Sequence, residues 1–261
     1  MIHAKLSASG SARWMACPGS VAAEDGIKDK SSSAAAEGTA AHELGDIVLN
    51  SGGNCEDWLG KQLPENNEWV VTQEMADAVQ QYVDYVRNLG GHQSYEIRVD
   101  FSEWVPEGFG TSDAIVLDGD TIRVVDLKYG KGVRVDAEDN SQGLLYALGA
   151  YADYALAYDI QKVVITIVQP RLDHIDEWEI SVEDLLKWGE LVSEKARECL
   201  EPNAERVPGE KQCQWCKAQA TCPAQKAHAE RILMVDFEDF GEQVPVNKLS
   251  DEQLRAALES K

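Results

Sequence analysis

The sequence has no apolar run near the roughly 20 residues that a membrane-spanning helix needs. Its opening residues hold no apolar core of the kind that an export signal carries. These absences lead us to expect a cytoplasmic protein without a membrane partner. The chain contains no G-x-x-x-x-G-K-[ST] phosphate loop, which argues against a built-in helicase motor, and no internal repeat or low-complexity tract. Positive charge is scarce: 24 Lys and Arg stand against 46 Asp and Glu, for a net charge of −22. A surface of that sign argues against broad, non-specific binding to a polyanion. Six cysteines are present. In a cytosolic chain of this size they do not read as a disulfide framework, so the clustered ones point to metal.

What is present is centred on one hairpin. Residues 110–117 and 121–128 are apolar, β-branched arms joined at Asp118-Gly119-Asp120, which predicts two antiparallel strands and a tight turn. The hairpin's charges gather at its open end. Asp113 starts the first arm, and Asp126 and Lys128 end the second, two residues apart and so on one face. Two carboxylates and a lysine converging there suit a hard divalent cation and a charged helper.

Around the hairpin the periodicity predicts helices over 34–49 and 73–89, a strand over 95–101, and a glycine-rich turn at 129–132. It then predicts a helix over 138–158, strands over 162–168 and 174–180, and a helix over 181–200 with Ser181 as N-cap. Residues 1–33 are expected to hold one short helical turn stopped by Pro18, and residues 50–67 to be loop, with Cys55 in it. A further helix is expected over 224–234, and a tail helix from about Ser250, where Ser250 and Gln253 have capping-box spacing. Glu96 reads as an exposed, alternating strand residue, with a further acidic contributor to the site as the alternative. The order of elements is that of a mixed α/β sheet flanked by helices.

Asp126-Leu127-Lys128, with Asp113 upstream, resembles the PD-(D/E)XK nuclease superfamily. The proline usual before the first aspartate is absent; Gly110-Thr111-Ser112-Asp113 is similar to the G-x-x-D variant of the RecB-like branch. Gly38-Thr39-Ala40-Ala41-His42 matches that branch's G-T-x-x-H helix, and Gln142 with Tyr146 matches its Q-x-x-x-Y motif. The resemblance implies a restriction-endonuclease-like αβββαβ core. It also implies a divalent metal, Mg²⁺ or Mn²⁺, held by His42, Asp113 and Asp126, with Lys128 as catalytic helper and Gln142 and Tyr146 positioning the strand.

Cys213-x2-Cys216-x5-Cys222 supplies three thiolates, one short of a four-ligand site. Cys17, Cys55, Cys199 and His228 are the candidates for the fourth, although Cys199 lies on an apolar helix stripe. The iron–sulfur nucleases of the superfamily, the AddB-type and CRISPR-associated RecB-like exonucleases, take one cysteine before the core and three after it. That resemblance implies Cys17 and a 4Fe-4S cluster stapling N- and C-terminal segments; structural zinc is the alternative.

The expectation is therefore a nuclease domain over 1–225 and a C-terminal extension over 226–261 that docks a protein partner. The implied function is a metal-dependent deoxyribonuclease, an exonuclease on single-stranded or end-containing DNA, in phage or bacterial recombination or repair. A single-strand-annealing protein would suit it as partner. The competing reading is a non-catalytic nucleic-acid-binding or zinc-stapled interaction module. The charge objection has an expected local answer in the basic run Arg123, Lys128, Lys131 and Arg134.

Overall fold

A computed structural model describes residues 4–28 and 32–238. The expected tail helix with Ser250, and Asp239 and Phe240 before it, lie outside these residues. In chain order the elements begin with the short helices α1 (Ser11–Ala16) and α2 (Ser20–Glu24), then α3 (Ser33–Ser51) and α4 (Gln73–Asn88). The strands β1 (His92–Asp100), β2 (Phe109–Asp118) and β3 (Thr121–Leu127) follow. Then come α5 (Ser141–Tyr154), β4 (Lys162–Gln169), β5 (His174–Ser181), α6 (Val182–Leu200), α7 (Glu210–Gln214) and α8 (Pro223–Glu238).

The chain divides into two compact units, one of Met1–Ala12 with Lys30–Arg197, the other of Arg13–Asp29 with Glu198–Lys261. The position expected to separate core from extension, residue 225, falls within α8 of the second unit.

The first unit is built on one five-stranded sheet in the order β1-β2-β3-β4-β5. All neighbours are antiparallel except β3 and β4, which run parallel. A parallel pair needs a crossover, and α5 supplies it. β4 is apolar almost throughout, and Val163 to Gln169 are all buried because both faces of the sheet are covered there. The α4 stripe Met75, Val79, Tyr82, Val83 and Val86 packs with Ala40, Ala41, Leu44 and Val48 of α3, joined by Ala114, Val125 and Leu127 from the sheet. Ser32 accepts from the Ala35 N–H and Thr72 from the Met75 N–H, capping α3 and α4.

Three expectations change. The helix predicted over 138–158 runs only Ser141–Tyr154, since Asp139 is left-handed (φ 55°) and Asn140 caps Gly143. The predicted loop over 50–67 contains a 3-10 turn, Cys55–Trp58, and Cys55 is fully buried in the α3/α4 core. Helix also resumes after Pro18, as α2.

In the second unit Cys17, Cys213, Cys216 and Cys222 lie in and around short elements ahead of the 16-residue α8. Its buried apolar residues include Trp14, Cys17, Pro18, Cys199, Cys213, Ala218 and Ala229. Gly19 lies so close to a neighbouring segment that a Cβ there would stand 2.5 Å from the Ala204 carbonyl oxygen.

Candidate functional site

The β2–β3 ladder stops at Ala114↔Val125, so the next residues outward, Asp113 and Asp126, stand at its open end. There a side chain replaces the missing backbone acceptor: Asp113 Oδ2 accepts the Leu127 N–H at 2.7 Å. Its other oxygen, Oδ1, lies 3.0 Å from His42 Nδ1 on α3. Lys128 Nζ is 2.8 Å from Asp126 Oδ2 and donates to Gln142 Oε1 at 2.9 Å. Gln142 in turn donates to the Tyr146 hydroxyl at 3.4 Å, one helical turn along α5. The Lys128 ammonium is the charged partner of the buried Asp126 Oδ2. The contacts thus form two chains, His42–Asp113–Leu127 N–H and Asp126–Lys128–Gln142–Tyr146, which meet through the Asp126–Leu127 peptide.

Electrostatics follow from burial and pairing. Burial alone would lower the His42 pKa, but the charge and hydrogen bond of Asp113, reinforced by Asp126, raise it to about 9. Burial pushes Asp113 up, yet His42, the Leu127 N–H and Lys128 together hold it below the usual carboxylate range. Asp126 is raised, by burial and then by the adjacent Asp113 charge, against the pull of Lys128. Burial works against the Lys128 ammonium, and Asp126 more than restores it.

Glu96 is exposed on its strand, as expected, and its geometry also supports the alternative of an acidic contributor to the site. It occupies the β1 position opposite Asp113, between the pairs Tyr95↔Ala114 and Ile97↔Ser112, with a left-handed φ of 47°. Such a conformation costs a glutamate on the order of 1 kcal/mol and needs support from its surroundings. The strand pair rolls over here. Tyr95 and Ala114 pack with the α3/α4 cluster, while Val99 and Gly110, each four residues on or back, lie against Gly149 and Tyr146 of α5. A Cβ at Gly110 would reach 2.7 Å from the Tyr146 ring, so only glycine fits beside that tyrosine. The roll brings Glu96 to the site, where donor atoms of His42, Glu96 and Asp113 all lie within 4.8 Å of one another. Burial first, then Asp113 and Asp46, raise its pKa to about 7. Nothing in the alternation of 95–101 signals this; a glutamate carries no mark of a left-handed φ.

Tyr82 lies on the apolar stripe of α4. Its hydroxyl is buried without a hydrogen bond among the described residues, and burial, with Asp113 and Asp126, raises its pKa well above the ordinary value.

The imidazole of His42 with the carboxylates of Glu96 and Asp113 suits a hard to borderline divalent ion, whereas Asp126, expected among the ligands, is not in that group and pairs with Lys128. The expected basic run does not stand as a free patch. Arg123 pairs with Glu177 (2.8 Å), Lys128 with Asp126, Lys131 with Glu74 (2.7 Å) and Arg134 with Asp136 (3.3 Å). Glu74 and Glu177 come from distant elements, so a sequence window around 121–135 could not count them.

In the second unit Cys17, Cys213, Cys216 and Cys222 line one cavity. Cys17 Sγ accepts the Val207 N–H at 3.2 Å and Cys213 Sγ the Gly209 N–H at 3.4 Å, bonds that favour charge on sulfur. Burial nonetheless raises the Cys17 and Cys216 thiols, so without a cation they stay neutral. Among the described residues no three of these sulfurs come within 4.8 Å of one another. The other candidates are engaged elsewhere. Cys55 lies in the first unit's core, Cys199 donates to the Trp14 carbonyl at 3.2 Å, and His228 Nδ1 is 3.3 Å from Arg231 Nη2.

Comparison with known proteins finds that residues 3–261 match a family described as "Protein of unknown function (DUF2800)". The chain belongs to that family. One solved structure, "Crystal structure of SSO0001", is similar over 84% of this chain and 85% of that one, at 16% identity and a TM-score of 0.38. No helix among the described residues of this DUF2800 member is long and apolar enough to cross a membrane.

Proposed function

We propose that this DUF2800 chain is a metal-dependent deoxyribonuclease with a restriction-endonuclease-like core, acting on single-stranded or end-containing DNA in recombination or repair. The observation that carries this reading is the convergence at one sheet end of Asp113, Asp126, Lys128 and Gln142. His42, Asp113 and Asp126, with Glu96 as a fourth donor, would hold Mg²⁺ or Mn²⁺, which supplies charge for the phosphate and an acidified water.

The remaining roles belong to side chains. Asp126 keeps Lys128 protonated, and Gln142 holds its ammonium beside the carboxylates, ready to face a developing anionic oxygen. Tyr146, fixed by Gln142 and packed on Gly110, offers a hydroxyl and a ring edge to position a strand. Asp113 anchors the Leu127 backbone and orients His42. In the second unit we assign a 4Fe-4S cluster to Cys17, Cys213, Cys216 and Cys222. It would act as a structural staple without part in bond cleavage.

The deciding experiment incubates anaerobically purified protein with end-labelled single-stranded DNA and Mg²⁺ or Mn²⁺. Cleavage is expected from wild type and its loss, by about 10³-fold or more, from Asp126→Ala and Lys128→Ala. The position of the labelled products reports polarity. Wild-type inactivity on all strands and with both metals would sink the enzyme reading.

A further inference from the structure

A second group of donors stands apart from the sheet-end set. Asp136 lies in the segment between β3 and α5, and His174 and Asp176 open β5. Donor atoms of all three lie within 4.8 Å of one another. Yet His174 forms no ion pair with either carboxylate among the described residues.

Each of the three has one polar atom tied to the protein and another left over. His174 Nε2 is 3.0 Å from the Val135 carbonyl, which can only accept, so Nε2 carries the proton and a neutral ring keeps a lone pair on Nδ1. Asp176 Oδ2 accepts the Ala137 N–H at 2.7 Å, leaving Oδ1. Asp136 Oδ1 meets Arg134 Nε at 3.3 Å, leaving Oδ2. A histidine whose far nitrogen donates to a backbone carbonyl, beside carboxylates held through one oxygen, is how outer contacts orient the ligands of a bound ion.

We infer that Asp136, His174 and Asp176 form a second divalent-cation site, with Nδ1 and two carboxylate oxygens as protein ligands and water completing the shell. One imidazole with two carboxylates favours a borderline ion such as Mn²⁺ over Mg²⁺. The segment it would fasten is already tied down by polar contacts: Gln169 donates to the Gly130 and Val133 carbonyls and accepts from the Val135 N–H. That segment begins at Lys128 and leads into α5 with Gln142 and Tyr146. The ion would thus brace the β3–α5 segment against β5. The inference does not rest on the nuclease reading, because none of these three residues belongs to the sheet-end set.

The test counts Mn²⁺ bound to the full-length chain by electron paramagnetic resonance, in wild type and in Asp136→Asn/His174→Gln. Asp136 is largely exposed, and glutamine retains a donor for the Val135 carbonyl, so the fold is expected to survive. The variant should lose one Mn²⁺ per chain, or bind it about 10- to 100-fold more weakly. In ¹H–¹⁵N spectra, trace Mn²⁺ should broaden the Ala137 and Ile175 amides in an Asp113→Asn/Asp126→Asn background, where the sheet-end donors are weakened. Equal Mn²⁺ binding by wild type and the Asp136/His174 variant would overturn the site, as would unbroadened Ala137 and Ile175 amides. If instead His174 is a protonated partner of the two aspartates, the variant changes stability equally with and without Mn²⁺, and the site is likewise refuted.

Discussion

The carboxylates at the open end of β2 and β3 hang from a five-stranded sheet backed by α3, α4 and α5. The four cysteines of the second unit hang from helices of five or six residues and the turns between them. The first set is held before any ligand arrives: Asp113 is fixed by a backbone N–H and a histidine, Lys128 by a carboxylate and an amide. The second has little apolar mass beside it, and three of its buried apolar residues are cysteines themselves. A scaffolded site can wait for its ion. A site made of short pieces gains much of its fold from the ligand, because ligand binding and folding are then one event.

The largest effect should come from breaking the weaker partner in that comparison. Cys17→Ser with Cys213→Ser removes two thiolates, and the lost ligand free energy is on the order of 10 kcal/mol if the group is structural. Limited proteolysis of the variant should cut within residues 13–28 and 198–238 while leaving the sheet-bearing unit resistant. An unchanged digest would mean that the second unit stands without its cysteines. The brown colour and broad visible absorption expected of a 4Fe-4S cluster should vanish in the same variant.

The scaffolded site should respond differently, losing function with only moderate loss of fold. Asp113→Ala strips the acceptor from the Leu127 N–H and from His42, at a cost of about 1–3 kcal/mol. The pH dependence has a definite sign. Asp113 is held below its ordinary 3.8, so its contribution is present above that value and fades as pH falls through the lowered one. His42 is raised from 6.5 to about 9, so its contribution is full below 6.5 and fades as pH rises through 9. In metal-free protein the stability gap between wild type and variant should therefore be widest between pH 3.8 and 6.5 and narrow toward 9. Denaturant titrations across that range measure it; a gap that widens above pH 7 would contradict the His42–Asp113 linkage.

Much of this was legible from residues alone, for identifiable reasons. The 110–128 hairpin announced itself through β-branched arms and an Asp-Gly turn, and its register alone placed Asp113 opposite Asp126. α4 was visible because its apolar residues recur at helical spacing. What escaped were facts of long-range geometry. The left-handed turn at Glu96 depends on the strand opposite, and the partners of Lys131 and Arg123 lie 57 and 54 residues away, in α4 and β5. Helix α5 was overdrawn at its start because Asn140, a residue that favours caps over helix interiors, spends its side chain on capping Gly143.

Glu96 offers a smaller and more specific probe of the scaffolded site. Folding raises its pKa from 4.5 to about 7, so the folded state favours the protonated form: the contribution is present below 4.5 and lost as pH rises through 7. Above pH 7 the charged glutamate opposes folding of the metal-free protein. Glu96→Gln should then be more stable than wild type at pH 8, by about 0.5–1 kcal/mol once screening of a solvent-reached side chain is allowed for. The advantage should disappear at pH 4.5, and it should reverse when Mn²⁺ is added, because the ion needs the carboxylate. Mn²⁺ binding near pH 7 should also release protons, read as a calorimetric enthalpy that changes with the buffer's ionisation enthalpy.

The smallest effect is expected at Gln142. It touches the sheet-end charges only through Lys128, whose ammonium is already paired with Asp126. Removing the amide in Gln142→Ala leaves that ion pair and its charge in place, and takes away only the second direction in which the ammonium is held. Unfolding free energy should move by less than about 0.5 kcal/mol, typical of a change outside the packed core. Cleavage, if the proposed activity holds, should fall by about 10-fold, with Tyr146→Phe adding little to the loss because Tyr146 is reached through the same amide. A double variant that loses the product of two independent effects would show that Tyr146 acts on the strand by itself, without Gln142.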